Sequence, residues 1–162
     1  MIRIVLGIDD SAHSEAALNA VIQQFRPEAE VRVFHAVEWL REMPQSFMFG
    51  EGATYDKDIL SSRDRSFKKA EQLVMEAAHR LQAAGFRTTT TTLDIDPRHG
   101  IIKCAVEWKA HLIVVGSHGR RGLDRLMLGS VAEAVARHAT CSVEIVRIPP
   151  MAEPTSGTRG AV

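Results

Sequence analysis

Short apolar runs alternate with longer amphipathic stretches along almost the whole chain, and that alternation predicts its architecture. Ile2-Arg3-Ile4-Val5-Leu6-Gly7-Ile8 reads as a strand, apolar enough to be covered on both faces. Asp9-Asp10-Ser11 ends it and supplies capping side chains for a helix. Leu18, Val21, Ile22 and Phe25 share one stripe of that helix, and Pro27 stops it. Val31 to Val37 is a second apolar strand, followed by a helix over roughly 62–84 with Phe67, Ala70, Val74, Ala77 and Leu81 at helical spacing and Gly85 as its stop. Arg87-Thr88-Thr89-Thr90-Thr91-Thr92-Leu93 is a third strand, read from β-branching alone.

Asp96-Pro97 then gives an N-cap and a first helical position, and Ile101, Ile102, Ala105, Val106 and Trp108 give the third helix its expected apolar face. Leu112 to Val115 is the fourth strand, Val131 to His138 the fourth helix, and Val143-Glu144-Ile145-Val146 the fifth strand. Strands alternating with helices throughout mean right-handed crossovers and a parallel sheet with helices on both faces, an α/β fold. There is no internal repeat. Residues 39–61, with Trp39, Met43, Pro44, Phe47, Met48, Phe49, Gly50 and Gly52, read as an irregular loop that is either a lid or partner surface, or a cover for one sheet edge. The tail from Pro149 has the composition of a disordered segment, so the expected domain is 1–148.

Composition narrows the function classes. The chain has 162 residues, a single domain's length. Lys+Arg and Asp+Glu are 20 each, so no overall field favours nucleic acid or an anionic membrane. No apolar run approaches the ~18 residues of a membrane span, and no charged stretch followed by an apolar one stands at the start of the sequence, so a secretory leader is not expected. Cys104 and Cys141 are not in a Cys-x-x-Cys pair, and Cys104 falls in an amphipathic helix pattern suited to a buried reduced thiol. The expectation is a soluble cytoplasmic protein. His13, His79, His99 and His138 form no ligand-spaced cluster, which argues against a metal site.

The chemistry concentrates at the exit of the fourth strand. His111-Leu112-Ile113-Val114-Val115 empties into Gly116-Ser117-His118-Gly119, and nine residues later Gly129-Ser130 opens a helix. Glycine lets backbone N–H groups come close to an anion, and a helix amino end adds partial positive charge, so two such segments suit a phosphate chain. The P-loop lysine motif, Gly-x-Gly-x-x-Gly and the Gly-x-Ser-x-Gly elbow are all absent. Ser130-Val131-Ala132-Glu133 also reads as a capping box, and capping can coexist with phosphate contact. Asp9 is either a ligand contact or an N-cap or Asx-turn residue; Asp10 and Ser11 can take the capping role and leave Asp9 freer. Arg120 and Arg121 are either phosphate contacts or solvated loop charges, and His118 is either a phosphate contact or an exposed loop histidine.

Gly116-x2-Gly119-x9-Gly129-Ser130, near the end of a five-strand alternating chain, resembles the ATP-binding branch of the universal stress protein family. Gly7-Ile8-Asp9-Asp10-Ser11, His35-Ala36-Val37-Glu38, Asp96-Pro97 and Thr140-Cys141-Ser142-Val143-Glu144-Ile145-Val146 extend the likeness over roughly residues 2–148, apart from 39–61. His111 stands where the family commonly has an acidic residue. The resemblance implies a doubly wound, Rossmann-like sheet of order 3-2-1-4-5, ATP as ligand, and homodimers joined through the fifth strand. By the family's pattern Asp9 and Val37 would meet the nucleoside, and Gly116, Gly119, Gly129 and Ser130 would wrap the triphosphate. Ser117, His118, Arg120 and Val131 complete the expected site.

In a sheet of that order the crevice lies where the topology reverses, between the first and fourth strands, so Asp9 and Gly116 should flank it. Mg²⁺ can ride on the phosphates with a few waters. Asp9 and Asp10 are the only evident carboxylates nearby, which favours a nucleotide-dependent regulatory or stress-response protein with slow or no hydrolysis, whose occupancy an unknown protein partner would read. The other reading is an enzyme on the same scaffold that uses ATP to adenylate or phosphorylate a small substrate. The fifth strand, Val143 to Val146, would leave an unpaired sheet edge that a second copy can cover.

Overall fold

Five parallel strands form one sheet in the order β3-β2-β1-β4-β5 in the computed structural model, which describes residues 1–38, 53–119 and 127–148. The strands are β1 (Arg3–Gly7), β2 (Glu30–Val37), β3 (Arg87–Asp94), β4 (Leu112–Gly116) and β5 (Ser142–Val146). Between them run α1 (Ala12–Gln24), α2 (Ala53–Ala83), α3 (Pro97–Glu107) and α4 (Ser130–His138). The alternation sends α1 and α2 to one face and α3 and α4 to the other. This is the doubly wound arrangement the sequence predicts.

Each central strand sorts its side chains by parity. Ile4 and Leu6 of β1, Val31 and Val33 of β2, and Leu112 and Val114 of β4 pack with Leu18 and Val21 of α1 and Val74, Ala77 and Leu81 of α2. Val5, Phe34, Ala36, Ile113 and Val115 pack on the opposite face with Ile101, Cys104 and Ala105 of α3 and Ala132 and Val135 of α4. Two closed faces explain why these strands are apolar without alternation.

Register puts the site's components side by side. Gly7 pairs with Val115, so the loops leaving β1 and β4 start at the same height. The β1–β2 ladder continues past the strand, with Ile8 N–H donating to Phe34 O at 3.0 Å. His111, ahead of β4, accepts the Arg3 N–H at Nδ1 (3.0 Å).

Helix ends follow local chemistry. Ser11 caps α1 by accepting from Ser14 N–H, and Asp96 caps α3 with Pro97 at its start. After α2, Gly85 takes φ +93°, while Gly85 N–H donates to Gln82 O and Phe86 N–H to Leu81 O. That pairing satisfies the last carbonyls and needs a left-handed residue, which glycine supplies without strain.

Three elements differ from expectation. Helix α2 begins at Ala53, so residues 53–61 are helical instead of irregular. Its buried stripe starts only at Ala70, where the helix reaches the sheet, and polar early turns give no periodicity to read. On α3 the buried face is Ile101, Cys104 and Ala105, while Val106 is 51% exposed; the i, i+3, i+4 step excludes it. Ser130 is the first helical residue of α4 and Gly129 is its N-cap, with no side-chain cap bond, so the predicted capping box does not form. Trp39 to Gly52, Arg120, Arg121 and the tail from Pro149 lie outside the described residues.

Candidate functional site

The loops leaving β1 and β4 meet the start of α4 at the carboxyl edge of the sheet. Ser117 carries the junction. Its N–H donates to Val146 O and its carbonyl accepts from Gly129 N–H, both at 2.8 Å, so one residue ties β5 and the α4 entrance to the β4 exit. The two glycine segments are therefore joined directly. Ser117 is 1% exposed, and its hydroxyl lies 3.1 Å from His118 Nδ1.

The glycines have protein neighbours where their side chains would be. A Cβ on Gly116 would stand 2.7 Å from the carbonyl carbon, Cβ and oxygen of His13, so α1 packs directly on this backbone. A Cβ on Gly119 would stand 2.7 Å from Asp9 Oδ2, and one on Gly129 3.1 Å from His118 Cα. Close internal approach thus accounts for glycine at Gly116 and Gly119. The donors left for a ligand are elsewhere: the first-turn N–H groups of α4 have no intrahelical acceptors, no side chain caps them, and the Ser130 hydroxyl beside them is exposed.

Asp9 is less free than its neighbours led one to expect. Its Oδ1 accepts from Ser14 Oγ (2.7 Å) and from Ser11 N–H (3.1 Å), while its own N–H donates to Ser14 Oγ (2.8 Å). Ser11 does cap the helix, yet Asp9 forms the Asx-turn beneath it, because the chain reverses there and Ser14 is buried at 7% exposure. Oδ2 is the oxygen turned toward Gly119.

Val37 ends β2 on the α2 side. With Asp10, His35, Ser66 and Lys69 it lines a cleft of ≈ 220 Å³, and His35 holds that wall by donating from Nδ1 to Ile8 O at 2.7 Å. An adjoining cleft of ≈ 320 Å³ runs between α1 and α2 and includes Asp9, Asp10 and Ser11. Asp10 belongs to both, and Lys69 pairs with it at 3.3 Å. Also lining the second cleft, Arg80 bridges Glu15 (2.7 Å) and Asn19 (2.8 Å), and its hydrogen bond lowers the Glu15 pKa.

The structure therefore brings Asp9, Gly116, Ser117, His118, Gly119, Gly129 and Ser130 to one corner. Val131, the next residue of α4, is half-buried and packs against the core cluster that includes α3. Val37 lies across Asp10 from it, and Arg120 is outside the described residues. His13 was missed by sequence reasoning: its ring centroid is 5.1 Å from that of His118. Its place in the first turn after β1 was the available signal.

Among the described residues no group of three His, Cys, Asp or Glu could hold a metal ion, and no helix is long and apolar enough to cross a membrane. Cys104 and Cys141 are free, and burial pushes both thiols up in pKa.

A doubly wound sheet with a glycine corner at its switch point places the chain among the α/β folds whose ligand crevice lies at the strands' carboxyl ends. More particularly, the chain belongs to the universal stress protein family, whose model matches residues 1–147. It is 31% identical over 148 residues to the universal stress protein YxiE of Bacillus subtilis, covering 90% of this chain and 98% of that one. It is similar to universal stress protein UspA from Lactobacillus plantarum (TM-score 0.70, 20% identity, 90% of this chain and 97% of that chain), a likeness of fold. It is also similar to a universal stress protein solved in complex with cAMP (TM-score 0.62, 28% identity, 90% and 96% covered).

Proposed function

We propose that this universal stress protein binds an adenine nucleotide, ATP by the family pattern, and acts as a nucleotide-dependent regulatory protein with slow or no hydrolysis. The observation that carries the reading is the Gly129 N–H···O=C Ser117 bond, which holds the uncapped start of α4 against the β4 exit. An uncapped helix amino end with an adjacent hydroxyl is suited to a phosphate group. The structural relative solved with cAMP supports an adenine nucleotide as the ligand class.

The phosphates lie at the Gly116–Gly119 and Gly129–Ser130 corner, with Mg²⁺ carried on them, and the nucleoside reaches toward Asp9 and Val37. Hydrolysis needs a group free to orient water. Asp9 is engaged by Ser11 and Ser14, and Asp10 by Lys69, which favours retention over turnover. Occupancy then changes the surface around the corner, which is what a partner reads. The protein pairs with a second copy through the outer edge of β5.

Mass spectrometry of small molecules released from freshly purified full-length protein, with calorimetric titration of ATP, AMP and cAMP, tests the reading. A bound or titratable adenine nucleotide is expected. Absence of binding by all three in folded protein overturns it.

A further inference from the structure

His13 stands at the corner and is not among the residues that the sequence pattern assigns to the site. Its backbone is pressed on Gly116, which fixes the amino end of α1 against the β4 exit. Its ring lies 5.1 Å from the His118 ring, centroid to centroid, with planes tilted by 52°. His118 Nδ1 is engaged by the Ser117 hydroxyl at 3.1 Å, whereas Nε2 is shielded from solvent and has no hydrogen-bond partner among the described residues. A buried polar atom without a partner is uncommon in native structures and calls for a missing partner.

The chemistry of that partner follows from the imidazole. When the Ser117 hydroxyl donates to Nδ1, Nε2 carries the hydrogen and needs an acceptor; in the charged ring both nitrogens donate. A phosphate oxygen is an acceptor and carries the complementary charge. The α1 amino end contributes its dipole, and Ser11 already takes the Ser14 N–H of that first turn.

We propose that His13 and His118 form an imidazole pair that takes one phosphate group of the nucleotide, His118 through Nε2 and His13 from the first turn of α1. The proposal rests on the nucleotide reading and adds a phosphate-contacting residue outside the glycine motif. His13 is only half-buried, and in this arrangement its ring swings outward to admit the phosphate. The phosphate then enters between the rings, next to the α4 start that Gly129 holds 3.1 Å, Cβ position to Cα, from His118.

Calorimetric titration of the full chain with AMP and with adenosine, for wild type, His13→Ala and His13→Gln, separates phosphate contact from a structural role. His13→Ala is expected to weaken AMP about tenfold, in keeping with loss of a charge-assisted hydrogen bond, and to leave adenosine unchanged. His13→Gln, which keeps a donor, recovers part of the loss, and thermal unfolding verifies that both variants fold. Unchanged AMP affinity, or equal weakening of AMP and adenosine, overturns the pair while leaving the nucleotide reading intact. Wild-type protein that binds neither AMP nor ATP overturns both.

Discussion

Asp9 Oδ2 lies 2.7 Å from the point where a Cβ on Gly119 would stand. The other carboxylate oxygen is held by Ser11 and Ser14, so the group cannot swing away without breaking the Asx-turn that starts α1. Gly119→Ala should therefore destabilise the protein by about 1 kcal/mol, the low end of overpacking costs. The cost should shrink in an Asp9→Ala background, a coupling that a double-mutant cycle by urea unfolding measures. Gly116→Ala should cost more, about 2–3 kcal/mol, because it meets His13 backbone atoms and not a side-chain tip. Equal costs for the two glycines, or strict additivity with Asp9→Ala, would contradict this geometry.

Ser130 gives a test that separates capping from ligand contact. Gly129 is the N-cap and no side-chain cap bond exists, so Ser130→Ala should change stability by less than about 0.5 kcal/mol. Loss of a true serine cap would cost about 1 kcal/mol. The same variant should weaken ATP binding severalfold in calorimetric titration. A stability loss with unchanged affinity would restore the capping role.

Among the described residues β5 has no strand on its outer edge. Val146 O accepts from Ser117 N–H, so Val146, Glu144 and Ser142 turn their backbones to β4, and Val143 and Ile145 turn theirs outward. Their side chains pack toward α3 and α4, so the edge is best attacked through the backbone. Val143→Pro removes an outward N–H and keeps an apolar body. It should convert a dimer to a monomer in sedimentation velocity, with circular dichroism unchanged; a persistent dimer would exclude this edge as the interface.

Acid sensitivity should appear at the start of α3. The Arg98 guanidinium, donating to Asp96 at 2.6 Å, holds that carboxyl at about 2 against an ordinary 3.8. The unfolded chain then binds the proton more readily than the folded one, so the contribution is complete above the unfolded value and is lost as pH falls toward 2. Asp96→Asn keeps a capping oxygen and removes the charge. Its melting temperature should lie slightly below wild type at neutral pH, with the gap closing between about pH 4 and pH 2. A gap independent of pH would show that charge is not what the Arg98 contact stabilises.

Much of this was legible in the chain because it depends on local periodicity and end chemistry. The apolar runs at Ile4, Val31 and Leu112 mark strands closed on both faces, Asp96-Pro97 and Gly85 mark helix ends, and the spaced glycines mark the corner. The early turns of α2 were not legible, since a helix without an apolar stripe has no period to detect. Val106 was misplaced because two adjacent apolar residues on a short helix leave its rotation undetermined until the sheet selects a face.

By itself, then, the sequence determined the order of strands and helices, the parallel sheet that such an order requires, and the position of the glycine corner. Tertiary structure decided how that corner is used. Glycine at Gly116 and Gly119 answers to His13 and Asp9, Gly129 and not Ser130 stands at the N-cap position of α4 with no side-chain bond there, and His13 comes to rest beside His118. Periodicity and turn chemistry act between neighbours in the chain. Which distant groups share a corner follows from strand order and register, which only packing of the whole sheet establishes.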